Sequence, residues 1–160
     1  MDALRGRGGE MSKILALDPG LRTGWAMSDG STGTIDLHAV FHLDRGEAMS
    51  EYARAVCKLM RGVRLVLIER PMGRLVATML PEILTARAHE EAWRLGIQRV
   101  ELTVPSIRKL VCGDARADKK AVQAAVRAAG WTCRTPHEAD AVAVLLAGIE
   151  RAKTERVMAS

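Results

Sequence analysis

Lys13-Ile14-Leu15-Ala16-Leu17-Asp18-Pro19-Gly20 is the stretch from which the rest of the chain is read. A short apolar run ends on a carboxylate and then on Pro-Gly, the pattern of a buried strand that stops at a turn. Working outward, Gly24 to Ser28 and Gly33 to Leu43 read as two further strands, joined at Asp29-Gly30. Up to there the chain reads as an antiparallel meander.

The periodicity then changes. Met49, Tyr52, Ala53, Val56, Leu59 and Met60 recur at helical spacing between Glu47 and Arg61, and Gly62 stops that helix. Val63 to Ile68 is strand-like and closes on Glu69. A second helix is expected from about Pro81 to Leu95, with Pro81 in its first turn and Gly96 beyond its end. Ile97 to Val104 reads as a fifth strand, followed by helical pieces at Pro105 to Cys112, Asp118 to Ala129 and Pro136 to about Arg156. A meander followed by β-α crossovers predicts an α/β fold, a mixed sheet with helices on its faces.

With 160 residues, 48% of them hydrophobic and 27% charged, the chain is expected to fold as one domain over 12–156. Residues 1–11 are Gly- and Arg-rich and read as a flexible basic tail, with Met11 a second candidate start. No apolar run reaches the roughly 18 residues of a membrane span and no secretory signal is visible, so a cytoplasmic location is expected. Cys57, Cys112 and Cys133 are odd in number and scattered, which suits buried free thiols in a reducing compartment. The net charge of +5 favours a polyanionic partner. Only 3% of residues are aromatic, so phosphate contacts and shape, not serial base stacking, would carry nucleic-acid binding.

Three acids sit where a core wants something apolar. Asp18 closes the first strand, Glu69 the fourth, and Asp140 lies inside the apolar run Ala139 to Ile149. Each has a plain structural reading: a turn for Asp18, a surface pair for Glu69, an early helix turn for Asp140. Carboxyl ends of neighbouring strands, however, are where α/β folds bind ligands, and a hard divalent cation would neutralise such a cluster. Thr135-Pro136-His137-Glu138 fits a capping box, which gives Glu138 a structural duty. His137 lies one turn from Asp140 and shares its helix face.

Together these segments resemble the RuvC family of Holliday junction resolvases, nucleases of the RNase H-like fold. Ile14 to Gly24 (ILALDPGLRTG) is similar to the family's first motif and Leu67-Ile68-Glu69 to its second. Pro105 to Lys109 with Gly113 to Gln123 is similar to its basic central segment, and His137-Glu138-Ala139-Asp140-Ala141 to its last motif. The likeness runs in order from about Lys13 to Ile149. It implies an RNase H-like mixed five-stranded sheet flanked by helices, and a metal-dependent endonuclease that resolves Holliday junctions or other branched DNA by paired cuts. It implies Asp18, Glu69, His137 and Asp140 as metal-binding catalytic residues, with Lys119 as the basic residue of the site. Two Mg²⁺ ions, replaceable by Mn²⁺, and a homodimer acting on four-way junctions are implied as well, in a bacterial or phage-type member. Two cations about 3.5–4 Å apart suit in-line displacement, and Lys119 would stabilise charge on the scissile phosphate.

Two features depart from that pattern. Pro71-Met72-Gly73 stands where the family carries an aromatic wedge, and the segment between the first two motifs is compact. Met72 can still wedge between bases. Arg22, Arg70, Arg74, Arg108, Lys109, Arg116 and Lys120 are candidate phosphate contacts, each equally readable as solvated surface. The helix Leu80 to Arg94 suits either a dimer contact or an ordinary core face. Rival readings are a related nuclease of flaps, forks or structured RNA, and a non-catalytic branched-DNA-binding protein. An actin-like phosphotransferase is disfavoured by the lack of a second Gly-rich phosphate loop.

Overall fold

The computed structural model describes residues 13–72 and 75–158. The chain forms β1 (Lys13–Asp18), β2 (Arg22–Met27), β3 (Thr32–Asp36), α1 (His38–Leu43), α2 (Arg45–Leu59) and β4 (Val63–Arg70). It continues through α3 (Leu75–Arg94), β5 (Gln98–Thr103), α4 (Val104–Cys112), α5 (Lys119–Ala128) and α6 (Pro136–Met158). The five strands make one mixed sheet in the order β3-β2-β1-β4-β5. β1, β2 and β3 pair antiparallel, whereas β4 runs parallel to both β1 and β5. This is the expected meander joined to β-α crossovers.

Strand alternation divides the core in two. Ile14 and Ala16 of β1, with Leu67 of β4 and Leu102 of β5, face α4, α5 and α6. Leu15 and Leu17, with Val66 and Ile68, face Tyr52 and Val56 of α2 and Leu84, Ala88 and Ala92 of α3. Both sides of β1 are therefore dry, which explains its unbroken apolar run.

α6 lies close to the sheet because small residues line it. Ala139, Ala141, Ala143 and Ala147 are buried. Gly24 of β2 removes the last obstacle: a Cβ there would stand 1.8 Å from the carbonyl oxygen of His137. Helix and strand backbones thus touch at the point where α6 begins.

Four expectations need correction. The segment Gly33 to Leu43 is not one strand, since β3 stops at Asp36 and α1 follows. Asp36 Oδ1 accepts the His38 N–H at 2.8 Å, and Leu37 buries its side chain while donating its N–H to Leu21 O at 2.8 Å. Those bonds turn the chain away from the sheet edge. The second long helix starts at Leu75, so Pro81 lies inside α3, where it deletes one backbone hydrogen bond. β4 runs to Arg70, which leaves Glu69 its penultimate residue. Cys57, Cys112 and Cys133 are unpaired and only half-buried. The 1–11 tail and Arg74 lie outside the described residues.

Candidate active site

β1 and β4 bring the first two acids together by register. Leu17 pairs with Ile68 in the parallel ladder, and one further step sets Asp18 abreast of Glu69. Asp18 is in phase with Ile14 and Ala16, and Glu69 with Leu65 and Leu67, so both carboxylates belong to the α6 face. On the other side of β1, Asp18 pairs with Gly24, against whose bare backbone His137 rests. A strand glycine beside Asp18 is thus what admits the start of α6.

Thr23 shapes the turn beyond Asp18. Its buried hydroxyl donates to Gly20 O at 2.8 Å and accepts from Gly20 N–H at 3.1 Å. The start of α6 is held by Thr135 Oγ1, which accepts the Glu138 N–H at 3.1 Å. Glu138 is buried, and its Oε2 accepts from Thr32 Oγ1 at 2.9 Å and from Arg134 N–H at 3.0 Å. The capping duty read from the sequence therefore holds, and it extends to tying α6 to β3.

α4 and α5 contribute the basic side. Asp118 caps α5, accepting the Ala121 N–H at 2.8 Å, which sets Lys119 as the first helical residue. Lys119 Nζ then lies 2.8 Å from Asp140 Oδ2. Glu69, Arg108, Lys119 and Asp140 line one cleft of about 180 Å³. Asp18, Gly20, Leu21, Arg22, His38 and His137 line another, of about 320 Å³.

The electrostatics show negative charge in excess of its compensation. Burial, then the charges of Glu69 and Asp140, push the Asp18 carboxyl up to about 8, with Lys119 opposing. Burial, then Asp140, push Glu69 up to about 7, against Arg108 and Lys119. Lys119 is raised in turn, first by its hydrogen bond to Asp140. Burial, followed by a smaller contribution from the Asp18 charge, keeps the Tyr52 phenol beneath the site protonated.

Asp18, Glu69, Asp140 and Lys119 are thus neighbours, with His137 on the far side of Asp18. Arg108, a candidate phosphate contact from the sequence, lines the cleft itself. Arg22 borders the second cleft and pairs with Asp36 at 3.0 Å. Arg70, at the end of β4, reaches only to Glu101 at 3.9 Å, and Met72 is exposed just beyond it. Lys109, Arg116 and Lys120 are exposed and form no ion pair among the described residues. His38 was not anticipated, because its segment reads as strand from the sequence.

Carboxylates with an adjacent imidazole are the donors that a hard divalent cation accepts. Among the described residues, however, no three His, Cys, Asp or Glu side chains are gathered tightly enough to hold one ion. Lys119 supplies the counter-charge on the Asp140 side.

No protein-family profile matches the sequence, and no curated protein matches it. Solved structures match its fold, among them two of RuvC. One is described as Thermus thermophilus RuvC structure, with a TM-score of 0.78 and 16% identity over 90% of this chain and 97% of that one. The other is T. thermophilus RuvC in complex with Holliday junction substrate, with a TM-score of 0.76 and 16% identity over 90% and 96%. The chain therefore has a RuvC-like fold, as the five-stranded mixed sheet and its flanking helices require. Among the described residues no helix is long and apolar enough to cross a membrane.

Proposed function

We propose that this protein is a divalent-metal-dependent endodeoxyribonuclease that resolves Holliday junctions or closely related branched DNA. The observation that carries the reading is the approach of Asp18, Glu69 and Asp140 to one another in one partly buried site, where burial and then their mutual charges push the first two to abnormally high pKa values. Three half-buried carboxylates drawn together are costly unless something positive joins them. A bound Mg²⁺ would supply that charge, activate a water and shield the scissile phosphate.

Asp18 is the shared ligand in this reading, with Glu69 and Asp140 on one side of it and His137 on the other. An ion held by Asp18, Glu69 and Asp140 would replace the Lys119 ammonium as the partner of Asp140. Lys119 would then serve the phosphate together with Arg108, which borders the same cleft. His137 completes the set or moves a proton. Exposed Lys109, Arg116 and Lys120, with Arg70, supply phosphate contacts along the adjoining surface, and Met72 is placed to press on bases.

Paired cuts need two such sites, so the acting unit is a homodimer. α3 supports that reading: Met79, Ile83 and Trp93 fall on one helical stripe, all exposed, with Trp93 at 69%.

Substrate choice is tested by cleavage of four-way, three-way, flap and linear duplex DNA under identical Mg²⁺. The four-way junction is expected to be cut at least about tenfold faster than linear duplex. Equal cutting of all four would remove the branched-DNA reading while leaving the nuclease intact.

The raised carboxyls give a second test. Below the ordinary carboxylate range both the folded and unfolded chains are protonated. Between there and pH 7–8 the folded chain retains protons on Asp18 and Glu69 that the unfolded chain has released. In EDTA, this contribution to stability is therefore lost as pH rises from about 4 to 8. The melting temperature of the wild type should fall relative to an Asp18→Asn, Glu69→Gln variant over that range. Millimolar Mg²⁺ should restore it at pH 8 by binding only the folded state. Parallel profiles for the two proteins, or no response to Mg²⁺, would contradict the proposed site.

A further inference from the structure

The cleft on the His137 side of Asp18 has no assigned occupant. It lies between the turn after β1 and the short helix α1, and its volume is about 320 Å³. Asp18 is part of its lining, so the cleft adjoins the carboxylate cluster. Gly20 contributes bare backbone to its lining, and Leu21 adds a half-buried apolar side chain. Its cationic and imidazole groups are Arg22, His38 and His137.

Two of these groups are held on one support. Asp36 Oδ2 accepts from Arg22 Nε at 3.0 Å, while Asp36 Oδ1 accepts from the His38 backbone N–H at 2.8 Å. One carboxylate thereby fixes the guanidinium and the start of α1 relative to each other. Arg22 commits only Nε to this pair, which leaves the two terminal nitrogens of its fork for a ligand. The His38 ring is steadied by His42 one turn on, edge to face at 5.0 Å. An exposed arginine and an exposed histidine, pre-positioned beside an apolar wall, match the charge and the sugar face of a nucleic-acid backbone.

We propose that this cleft is a subsite for the phosphodiester next to the one being cut, with Arg22 and His38 as its contacts. The assignment rests on the nuclease reading above. It makes Asp18 the junction of two subsites along one strand: the scissile phosphate lies toward Glu69, Arg108 and Lys119, and the neighbouring phosphate toward Arg22 and His38. The contact is to backbone alone, so it positions the strand without reading its sequence.

The test couples protein and DNA changes. Four-way junctions carrying one uncharged methylphosphonate, placed on either side of the cleavage position in turn, are titrated with full-length protein in EDTA. Wild-type protein is expected to lose about fivefold to tenfold in affinity for one of the two positions. His38→Ala and Arg22→Ala should each bind the unmodified junction more weakly. Both should lose less than about twofold on the same methylphosphonate, because the contact is already gone. Both residues are exposed, so melting temperatures within a few degrees of wild type are expected and verify folding. Equal losses for wild type and variants at both positions would overturn the subsite. So would a His38→Ala protein that loses its Mg²⁺-induced thermal shift, which would make His38 a metal ligand instead. Failure of the nuclease reading would show separately, as Asp18→Asn protein that cleaves normally.

Discussion

Asp18→Asn is expected to lower cleavage of a four-way junction by about a thousandfold or more, on the order of 4 kcal/mol of barrier, while leaving junction binding within about twofold. Asn keeps the shape of the side chain and removes only the charge. In the folded chain Asp18 stands beside Glu69 and near His137, so no other acid can replace it as the shared ligand. The same substitution should raise the melting temperature in EDTA at pH 8. There the wild type must hold Asp18, whose pKa lies near 8, against burial and the charges of Glu69 and Asp140. Loss of activity with a gain in metal-free stability is the signature of a charge kept for chemistry. Unchanged cleavage would exclude the proposed site, and lost cleavage together with lost stability would indicate a structural role.

Gly24→Val is expected to cost about 3 kcal/mol or more and to abolish cleavage as well. Its Cβ would fall 1.8 Å from the oxygen and 2.4 Å from the carbon of the His137 carbonyl. Those are backbone atoms, so no rotamer change relieves the contact. Either α6 lifts from the sheet or β2 moves, and each displaces His137 and Asp140 from Asp18. For a chain of this size the loss corresponds to a fall of roughly 6–12 °C in melting temperature. Thermal melting with a parallel cleavage assay reads both effects. A variant with wild-type stability and activity would show that the close approach of helix and strand is not required.

Local pattern made part of this visible before any fold was known. β1 and β4 are short apolar runs that stop at acids, and the last helix announces its start through Thr135, Pro136 and Glu138. The convergence of Asp18 with Glu69 followed from strand ends alone, because parallel neighbours in register point their side chains the same way. What stayed hidden depended on contacts between distant segments. α1 is six residues long with no buried residue of its own. It forms because Asp36 and Leu37 anchor the turn that precedes it, and nothing in Gly33 to Leu43 signals that anchorage. His38 was therefore placed on a strand and overlooked. α3 runs through Pro81, although an isolated helix would more readily start there.

The role of Gly24 shows the same limit. Within the sequence it is one residue of a turn-like motif, and only the docking of α6 reveals why no side chain fits. Glu138 is the converse case. Its capping spacing was legible, but the hydrogen bond to Thr32 spans more than a hundred residues and depends on β3 lying beneath α6. Arg108 is legible as a candidate phosphate contact, but helix position alone does not tell that its face meets the cleft.

Anomalous diffraction from crystals soaked in Mn²⁺ addresses the metal site itself. The account predicts manganese bound within about 2.0–2.6 Å of carboxylate oxygens from Asp18 and at least one of Glu69 and Asp140, with Lys119 displaced from Asp140. Manganese found only on surface acids, with the Lys119–Asp140 pair intact, would contradict it.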